Sequence, residues 1–311
     1  MKLGFIGLGR MGKNMVLRQL EQGNEIVAWN RSPEPRKELL KESKALKKGR
    51  SNLKVVEIVE ELVKILKPPR IIWLMLTAGE AIDGMIDKIL PLLSKRDLIV
   101  EGANSFYKDT LRRNKKVTAK GVHFMDIGVS GGPGGARRGA CMMIGGSKED
   151  FERVKKIVVA GSAPEAFGHF GKVGAGHFAK MVHNGIEYGM MEAIGEGAAI
   201  LKFSDFDIDM QEVFRVYNNQ SVIESRLVGW TLEALSEDPE LKDTSSVIAS
   251  SGEGEWTVKT AKDMKIRTPV IEDSFKVRKT SEKDPEKSPE GYRNKVVSAQ
   301  RGKFGHHPVK K

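Results

Sequence analysis

Short apolar runs recur along the first half of the chain, and amphipathic stretches separate several of them. The runs are KLGFIGL, EIVAWN, RIIWLML, DLIVEGA, VHFMDIGV, CMMIGG and AFGHF. Between them, MGKNMVLRQLEQG (11–23) and KEDFERVKKI (148–157) carry apolar residues at helical spacing. Strands that alternate with helices in this way are typical of a parallel sheet covered on both faces. We therefore predict a doubly wound α/β domain of the Rossmann type over residues 1–173.

The pattern changes at residue 174, where helical periodicity replaces the strand runs. Residues 177–203, HFAKMVHNGIEYGMMEAIGEGAAILKF, predict one long helix. We therefore predict an all-α domain over residues 174–311. Within it, the polar segment KTSEKDPEKSPEGYRN (279–294) contains two prolines and predicts an exposed loop.

Composition and charge exclude several classes of protein. With 40% hydrophobic and 30% charged residues among 311, the chain is typical of a globular protein. The apolar runs are too short to span a bilayer and the N-terminus predicts a strand rather than a leader, so we expect a soluble cytoplasmic protein with no membrane partner. The single cysteine, Cys141, excludes a disulfide framework and a cysteine-rich zinc site, and we expect it to be buried. The net charge of +11 is spread over predicted helix surfaces without a nucleic-acid-binding motif, so no nucleic-acid partner is expected.

The segment GLGRMG (7–12) has the G-x-G-x-x-G pattern between a predicted strand and a predicted helix. Gly7 permits a tight turn, Gly9 lets the backbone approach a pyrophosphate, and Gly12 allows close packing. The free N–H groups at the start of the helix favour phosphates. The segment therefore predicts a dinucleotide site. Its candidate contacts are Gly7, Leu8, Gly9, Arg10, Met11 and Gly12, joined by Leu76, Thr77 and Ala78 after the strand RIIWLML.

The end of the second strand distinguishes the two nicotinamide dinucleotides. An acidic residue there would bind the ribose 2′-hydroxyl of NAD and repel a 2′-phosphate. The chain instead has Asn30, Arg31 and Ser32, which suit a phosphate and favour NADP. If Arg31 only stacks on the adenine, NAD would be accepted as well.

Two further loops follow predicted strands, where open α/β sheets bind their ligands. GANSF (102–106) presents Asn104, which can hydrogen-bond substrate or cofactor amide. VSGGPGGARRG (129–139) presents Ser130, Gly131 and Gly132, whose backbone N–H groups form a nest for a carboxylate.

The helix segment KMVHNGIEYG (180–189) places polar side chains at the spacing that usually carries an apolar stripe. Lys180, His183, Asn184, Glu187 and Tyr188 share one face. Because the other faces are apolar, we expect a helix that is buried on most sides and lines a cavity with this row. The alternative is a surface helix with a solvated polar face.

These motifs, together with SGEGEWT (251–257) and QRGKFGHH (300–307), resemble those of the 6-phosphogluconate dehydrogenases in their shorter form, within the β-hydroxyacid dehydrogenase superfamily. The resemblance covers nearly the whole chain. Lys180 and Asn184 resemble the wider superfamily, whereas His183, Glu187 and Tyr188 resemble the 6-phosphogluconate dehydrogenases in particular.

The resemblance implies oxidative decarboxylation of 6-phosphogluconate to ribulose 5-phosphate and CO2, without a metal. Lys180 would take the proton of the C3 hydroxyl while the hydride of C3 passes to the nicotinamide, which requires a lysine made partly neutral by desolvation. Glu187 would then protonate C1 of the enediol as general acid. His183 and Asn184 would hold the substrate hydroxyls and Lys180 in position.

For the phosphate of this sugar-acid substrate, the resemblance implies Tyr188, Thr257 and Arg278, with Arg301 and His307 from the tail of a neighbouring subunit. It therefore implies a homo-oligomer, either a dimer or a tetramer. One departure stands out, because Glu255 occupies a position where the family has a phosphate-binding lysine. One possibility is that Glu255 points away and Lys259 or Lys262 contacts the phosphate instead. Otherwise the phosphate binds more weakly than in the family, or the substrate is another aldonate.

Two other functions remain open from the sequence. A β-hydroxyacid dehydrogenase acting on a small unphosphorylated acid would have no need for Glu187, Arg278, Arg301 or His307. A non-catalytic reader built on a dehydrogenase fold would have no need for Lys180.

Overall fold

The computed structural model of the chain describes residues 1–249, 252–305 and 309. Backbone contacts divide the chain into two units, Met1–Met181 and Val182–Lys311. This division falls inside a helix, a few residues beyond the domain boundary that we predict at 173/174.

The first unit contains one sheet. Its eight strands are β1 (Lys2–Ile6), β2 (Glu25–Trp29), β3 (Leu53–Val55), β4 (Ile71–Leu74), β5 (Leu98–Glu101), β6 (His123–Ser130), β7 (Ala140–Gly145) and β8 (Ser162–Gly171). The strand order is β3-β2-β1-β4-β5-β6-β7-β8, and β1 to β6 are parallel. Strand β7 runs antiparallel to β6, and β8 runs parallel to β7. The doubly wound fold is confirmed; only the short β3, which has no long apolar run, was not predicted.

Helices cover both faces of the sheet because its central strands are apolar on both sides. All four residues of β4 and of β5 are buried. One apolar cluster on the first face includes Phe5, Trp73 and Ile127, and another on the second face includes Ile72, Ile99 and Phe124. The covering helices are α1 (Arg10–Glu21), α2 (Pro33–Ser43), α3 (Val59–Ile65), α4 (Glu80–Ile89), α5 (Tyr107–Thr118), α6 (Gly132–Arg138) and α7 (Lys148–Gly161).

Cys141 is exposed, so the prediction of a buried cysteine is wrong. Its strand neighbours Ala140 and Met142 are buried. Successive side chains of a strand point to opposite faces, and Cys141 therefore lies on the face that is uncovered at this end of β7.

The second unit is helical, as predicted. The long helix α8 (Ala175–Lys202) runs from the first unit into the second, which also contains α9 (Met210–Tyr217), α10 (Arg226–Glu237), α11 (Gly252–Asp263), α12 (Pro269–Thr280) and α13 (Pro289–Gly305). The loop that we predict over residues 279–294 is partly wrong, because α13 begins at Pro289 and buries Gly291, Tyr292 and Asn294. Among the described residues, no helix is long and apolar enough to cross a membrane.

Candidate active site

The glycines of GLGRMG form the turn from β1 into α1. Gly7 has a φ of 102°, and a Cβ placed on it would lie 2.1 Å from the carbonyl oxygen of Met75. A Cβ on Gly12 would lie 2.0 Å from the carbonyl oxygen of Gly7. At Gly9, by contrast, a Cβ would meet no heavy atom of the described residues within 4 Å. The turn is therefore packed tightly on its inner side and open on its outer side, which fits a bound pyrophosphate at Gly9.

The order of the strands places a second segment at the same edge of the sheet. The chain order reverses between β1 and β4, and ligands of open α/β sheets bind at the carboxyl ends of strands at such a point. Leu76, Thr77 and Ala78 lie in the loop after β4, and Thr77 is exposed while the other two are half-buried. This edge therefore carries both predicted cofactor segments.

Asn30 binds the glycine turn itself. Its Oδ1 accepts a hydrogen bond from the backbone N–H of Leu8 at 2.9 Å, and its Nδ2 donates to the carbonyl of Ser32 at 3.2 Å. Arg31 and Ser32 are exposed beside it. Asn30 thus shapes the turn, whereas Arg31 and Ser32 are accessible to a phosphate on the ribose.

Asn104 connects two loops at the carboxyl edge. It has a φ of 50°, donates from Nδ2 to the carbonyl of Val129 at 2.9 Å and accepts from the N–H of Val129 at 2.7 Å. Ser130, the next residue of β6, is half-buried. Gly131 and Gly132 follow with φ values of 115° and 62°, a conformation that favours glycine. The predicted contacts of this region are therefore held on a rigid support.

Lys180 lies in the part of α8 that belongs to the first unit, and it is only 5% exposed. A Cβ on Gly128 of β6 would lie 2.4 Å from the Cβ of Lys180. The strand and the helix therefore contact each other directly at this point, two residues before the carboxyl end of β6.

The rest of the polar row belongs to the second unit. His183, Asn184 and Glu187 are half-buried, and Tyr188 is buried. The Nδ1 atom of His183 lies 3.0 Å from Oδ1 of Asn184 and 3.7 Å from Oε2 of Glu187. His183, Asn184 and Glu187 thus lie close enough for their polar groups to interact.

The expectation that the helix is buried on its other faces is only partly correct. Met191 is fully buried, but Ile186 is 53% exposed and Met190 is 44% exposed. An apolar stripe of α8 therefore faces outward in the single chain.

Tyr188 and Thr257 lie together because glycines let α8 and α11 approach closely. A Cβ on Gly254 would lie 2.5 Å from the ring of Tyr188, and a Cβ on Gly185 would lie 2.6 Å from Cγ2 of Thr257. Thr257 is 5% exposed, and its hydroxyl donates to the carbonyl of Glu253 at 2.8 Å.

Two buried arginines complete this cluster. The guanidinium of Arg278 lies 3.4 Å from the ring centroid of Tyr188, and its Nη2 lies 3.3 Å from Sδ of Met191. Arg278 is 4% exposed and Arg301, on α13, is 6% exposed. Burial lowers the pKa of both guanidinium groups, and the charge of Arg278 lowers the pKa of Arg301 further. The cluster is therefore a buried cationic site.

Arg301 acts on Arg278 of its own chain in this structure, and the expectation that a neighbouring subunit supplies Arg301 stays a prediction. The helix α13 packs into its own unit, where ten of its residues are buried. His307 lies outside the described residues.

Glu255 points away from the cationic site. It is exposed on α11, as are Lys259 and Lys262 on the same face, so none of the three reaches the buried cluster. Glu253 lies closer, because its charge acts on Arg301 and its Oε2 is buried without a hydrogen-bond partner among the described residues.

Several buried charged residues that support the loops were not predicted from the sequence. Arg113 is 1% exposed and donates to Glu101 at 2.8 Å, to Ser105 at 3.0 Å and to Asp83 at 3.0 Å, which connects α4 with the end of β5 and the loop after it. Asp126 of β6 is fully buried. For two of these buried residues the sequence does carry a signal, which is an acidic residue inside an apolar run. They are Glu101 in DLIVEGA and Asp126 in VHFMDIGV. The described residues contain no cluster of three His, Cys, Asp or Glu side chains placed to hold a metal ion.

Comparison with known proteins gives a match for each of the two domains. The model of the NAD binding domain of 6-phosphogluconate dehydrogenase matches residues 2–171, and the model of the C-terminal domain of 6-phosphogluconate dehydrogenase matches residues 176–311. The solved structure of Plasmodium falciparum 6-phosphogluconate dehydrogenase, described as apo and in complex with NADP+ and with 6-phosphogluconate, is similar with a TM-score of 0.83 and 30% identity. That match covers 96% of this chain and 69% of the other. Mycobacterium tuberculosis 3-hydroxyisobutyrate dehydrogenase shares the fold, with a TM-score of 0.71 at 17% identity over 94% of this chain and 97% of the other.

Curated relatives include proteins of the same length and longer ones. YqeC of Bacillus subtilis (strain 168), provisionally named a 6-phosphogluconate dehydrogenase, is 42% identical over 100% of both chains. The NAD(+)-dependent decarboxylating 6-phosphogluconate dehydrogenase of Haloferax volcanii is 34% identical over 99% of this chain and 98% of its own. The NADP(+)-dependent decarboxylating enzyme of Bacillus subtilis is 39% identical over 89% of this chain and 60% of its own. With both of its domains matched, the chain belongs to the 6-phosphogluconate dehydrogenase family.

Proposed function

We propose that this protein catalyses the oxidative decarboxylation of 6-phosphogluconate to ribulose 5-phosphate and CO2, with NADP as the preferred hydride acceptor and NAD as a possible one. Two relatives that are named as decarboxylating 6-phosphogluconate dehydrogenases, one NAD(+)-dependent and one NADP(+)-dependent, support the proposal.

The buried cationic site of Tyr188, Thr257, Arg278 and Arg301 is the observation that carries the proposal. The charges of Glu187, Glu192 and Glu253 offset part of the cost of burying these two guanidinium groups, which still repel each other. Arginines bind phosphate oxygens in bidentate fashion, so a phosphate would stabilise the pair further. The Nε of Arg278 is buried without a hydrogen-bond partner among the described residues. A phosphate ester on the substrate would supply that partner and the negative charge, whereas an unphosphorylated acid such as 3-hydroxyisobutyrate would not.

Lys180 and Glu187 would divide the proton transfers between them. Lys180 takes the proton of the C3 hydroxyl as C3 loses its hydride, and the resulting β-keto acid loses CO2 because the C3 carbonyl accepts the electron pair. The protonated Lys180 stabilises the enolate oxygen, and Glu187 then protonates C1. The two residues lie seven positions apart on α8, about 10 Å along the axis, which is too far for a mutual ion pair and suits two separate roles.

The dinucleotide would be held by the turn of Gly7, Gly9 and Gly12 and by the segment Leu76, Thr77 and Ala78, with Arg31 and Ser32 at the ribose phosphate. When bound, the nicotinamide supplies the hydride acceptor. Asn104, Ser130, Gly131 and Gly132 would position the substrate near it, with His183 and Asn184 at its hydroxyls.

We also propose that the protein acts as a homo-oligomer. The outward stripe on α8 that contains Ile186, Met190 and Ile200 supports this proposal, since Ile200 is 74% exposed and apolar patches of this kind mark interfaces.

The proposal is tested by measuring kcat/KM of purified protein for 6-phosphogluconate, gluconate and 3-hydroxyisobutyrate, each with NADP and NAD. We expect 6-phosphogluconate with NADP to be the best pair. Arg278→Met, which removes the charge at similar volume, should raise KM for 6-phosphogluconate by roughly 10- to 100-fold and leave the slow reaction with gluconate unchanged. Equal losses on both substrates, or a wild type that prefers an unphosphorylated acid, would contradict the phosphate site.

A further inference from the structure

Asp126 is a fully buried carboxylate in the middle of β6, between Met125 and Ile127, which are also fully buried. Its Oδ1 accepts a hydrogen bond from the N–H of Gly174 at 2.6 Å, and its Oδ2 accepts one from the N–H of His177 at 2.7 Å. The first N–H groups of a helix have no partner within the helix, and a neighbouring side chain in sequence usually supplies one. Here the cap of α8 comes from a strand about 50 residues earlier in the chain.

Three glycines bring the backbone of α8 directly against β6 and β7. They are Gly128 of β6, Gly145 of β7 and Gly176 of α8. A Cβ on Gly176 would lie 2.4 Å from the carbonyl oxygen of Met143, and one on Gly145 would lie 2.7 Å from the N–H nitrogen of Gly176. One turn later, a Cβ on Gly128 would lie 2.4 Å from the Cβ of Lys180. His177 is additionally bound through Nδ1 to the hydroxyl of Thr110 at 2.7 Å. The helix start therefore has little room to slide or rotate on the sheet.

We infer that Asp126 is a positioning residue for the reaction, which fixes the first turn of α8 on β6 and thereby places Lys180 for proton transfer. The inference rests on the proposed function only in that Lys180 is the base. Asp126 acts through the backbone of Gly174 and His177, and Lys180 follows His177 by three residues, within the same helical turn. Loss of the cap would let this turn shift, and a displacement of about 1 Å at a catalytic group costs on the order of 100-fold in rate.

The variant that tests this inference is Asp126→Asn, which keeps the shape but can accept only one of the two hydrogen bonds. We expect kcat to fall by roughly 10- to 100-fold, while KM for the hydroxy acid and Kd for the cofactor change by less than about threefold. The matched control is Asp150→Asn. Asp150 is also a buried acid of the first unit, 4% exposed and bonded to His123 and Arg153, but it lies at the start of α7. The control should lower Tm and leave kcat unchanged.

A second variant tests the placement of Lys180 on β6 without changing Asp126. Gly128→Ala introduces a methyl carbon that would lie 2.4 Å from the Cβ of Lys180, and it should reduce kcat as Asp126→Asn does. Gly84→Ala on α4, where a Cβ meets no heavy atom of the described residues within 4 Å, is its control and should leave kcat unchanged. Hydrogen exchange at the amides of Gly174 and His177 should be faster in Asp126→Asn than in wild type.

The outcomes separate this inference from the proposed function. The assay uses whichever hydroxy acid the wild type oxidises, so a wild type that prefers another substrate still tests Asp126. A normal kcat in Asp126→Asn, or equal losses of kcat in Asp126→Asn and Asp150→Asn, would overturn the positioning role alone. A wild type that oxidises no hydroxy acid would overturn both.

Discussion

At the scale of single residues, the proposed chemistry depends most on Lys180. Lys180→Met should lower kcat by roughly 100- to 10,000-fold, the contribution typical of a general base, and leave the affinity for the cofactor largely intact. Rates and cofactor binding measured on the same preparation check this.

Lys202→Met at the end of the same helix is the matched control for Lys180→Met. Lys202 pairs with Glu240 at 2.8 Å and has no proposed role, so its replacement should leave kcat unchanged. A Lys180→Met protein with a rate near that of wild type would remove Lys180 from the mechanism.

Some residue-level features follow from sequence spacing and others do not. The glycines of GLGRMG and the face of KMVHNGIEYG follow from the turn and the helical period, which are local. The hydrogen bonds of Asn30 to Leu8 and of Asn104 to Val129 join residues 22 and 25 positions apart, and no local pattern encodes them.

At the scale of elements, α11 explains why Glu255 is compatible with the proposed function. Its buried face carries Thr257 toward Tyr188, whereas Glu255 lies on the exposed face. Glu255→Lys should therefore change KM for 6-phosphogluconate by less than about twofold. Thr257→Val, which removes a hydroxyl from the cationic site and keeps the volume, should raise KM by roughly 5- to 10-fold, the equivalent of one neutral hydrogen bond.

Steady-state kinetics of these two variants side by side would check the orientation of α11. A large fall in KM in Glu255→Lys would mean that Glu255 lies near the substrate phosphate when the enzyme works.

The helix α13 shows why a highly charged segment need not be an exposed loop. Charged residues suggested an exposed loop, but they are paired in the fold: Arg293 binds Glu192 at 3.0 Å and Asp284 at 3.0 Å, and Lys295 binds Glu286 at 3.1 Å. Paired charges can be buried where single charges cannot, and pairing between distant elements is not visible in a sequence.

At the scale of the whole molecule, Glu192 should make stability depend on pH. Glu192 is 4% exposed, and burial raises its pKa to about 7 from the ordinary 4.5 of a glutamate. The charges of Arg293 and Arg278 oppose this rise, and repulsion from Glu196 and Asp284 adds to it. The folded state therefore holds a proton that the unfolded state releases between pH 4.5 and 7. This proton contributes roughly 3 kcal/mol to the free energy of unfolding. The contribution is fully present below about pH 4.5 and is lost as pH rises to about 7.

Glu192→Gln should remove this loss. The difference in Tm between the variant and wild type should therefore increase as pH rises from 5 to 8. Thermal unfolding of both proteins across that range measures this difference. Glu34→Gln, at an exposed position of α2 in the first unit, is the control and should give a difference that does not vary with pH. A difference for Glu192→Gln that is equally constant would contradict the raised pKa.

The central claim is that one active site both oxidises and decarboxylates a phosphorylated aldonate. The most direct test is to incubate the wild-type protein with 6-phosphogluconate and NADP and to measure CO2 and reduced cofactor in the same sample. We expect the two products in equal amounts, and no CO2 from Lys180→Met. Reduced cofactor without CO2 would contradict the account and would identify the protein as a dehydrogenase that does not decarboxylate its substrate.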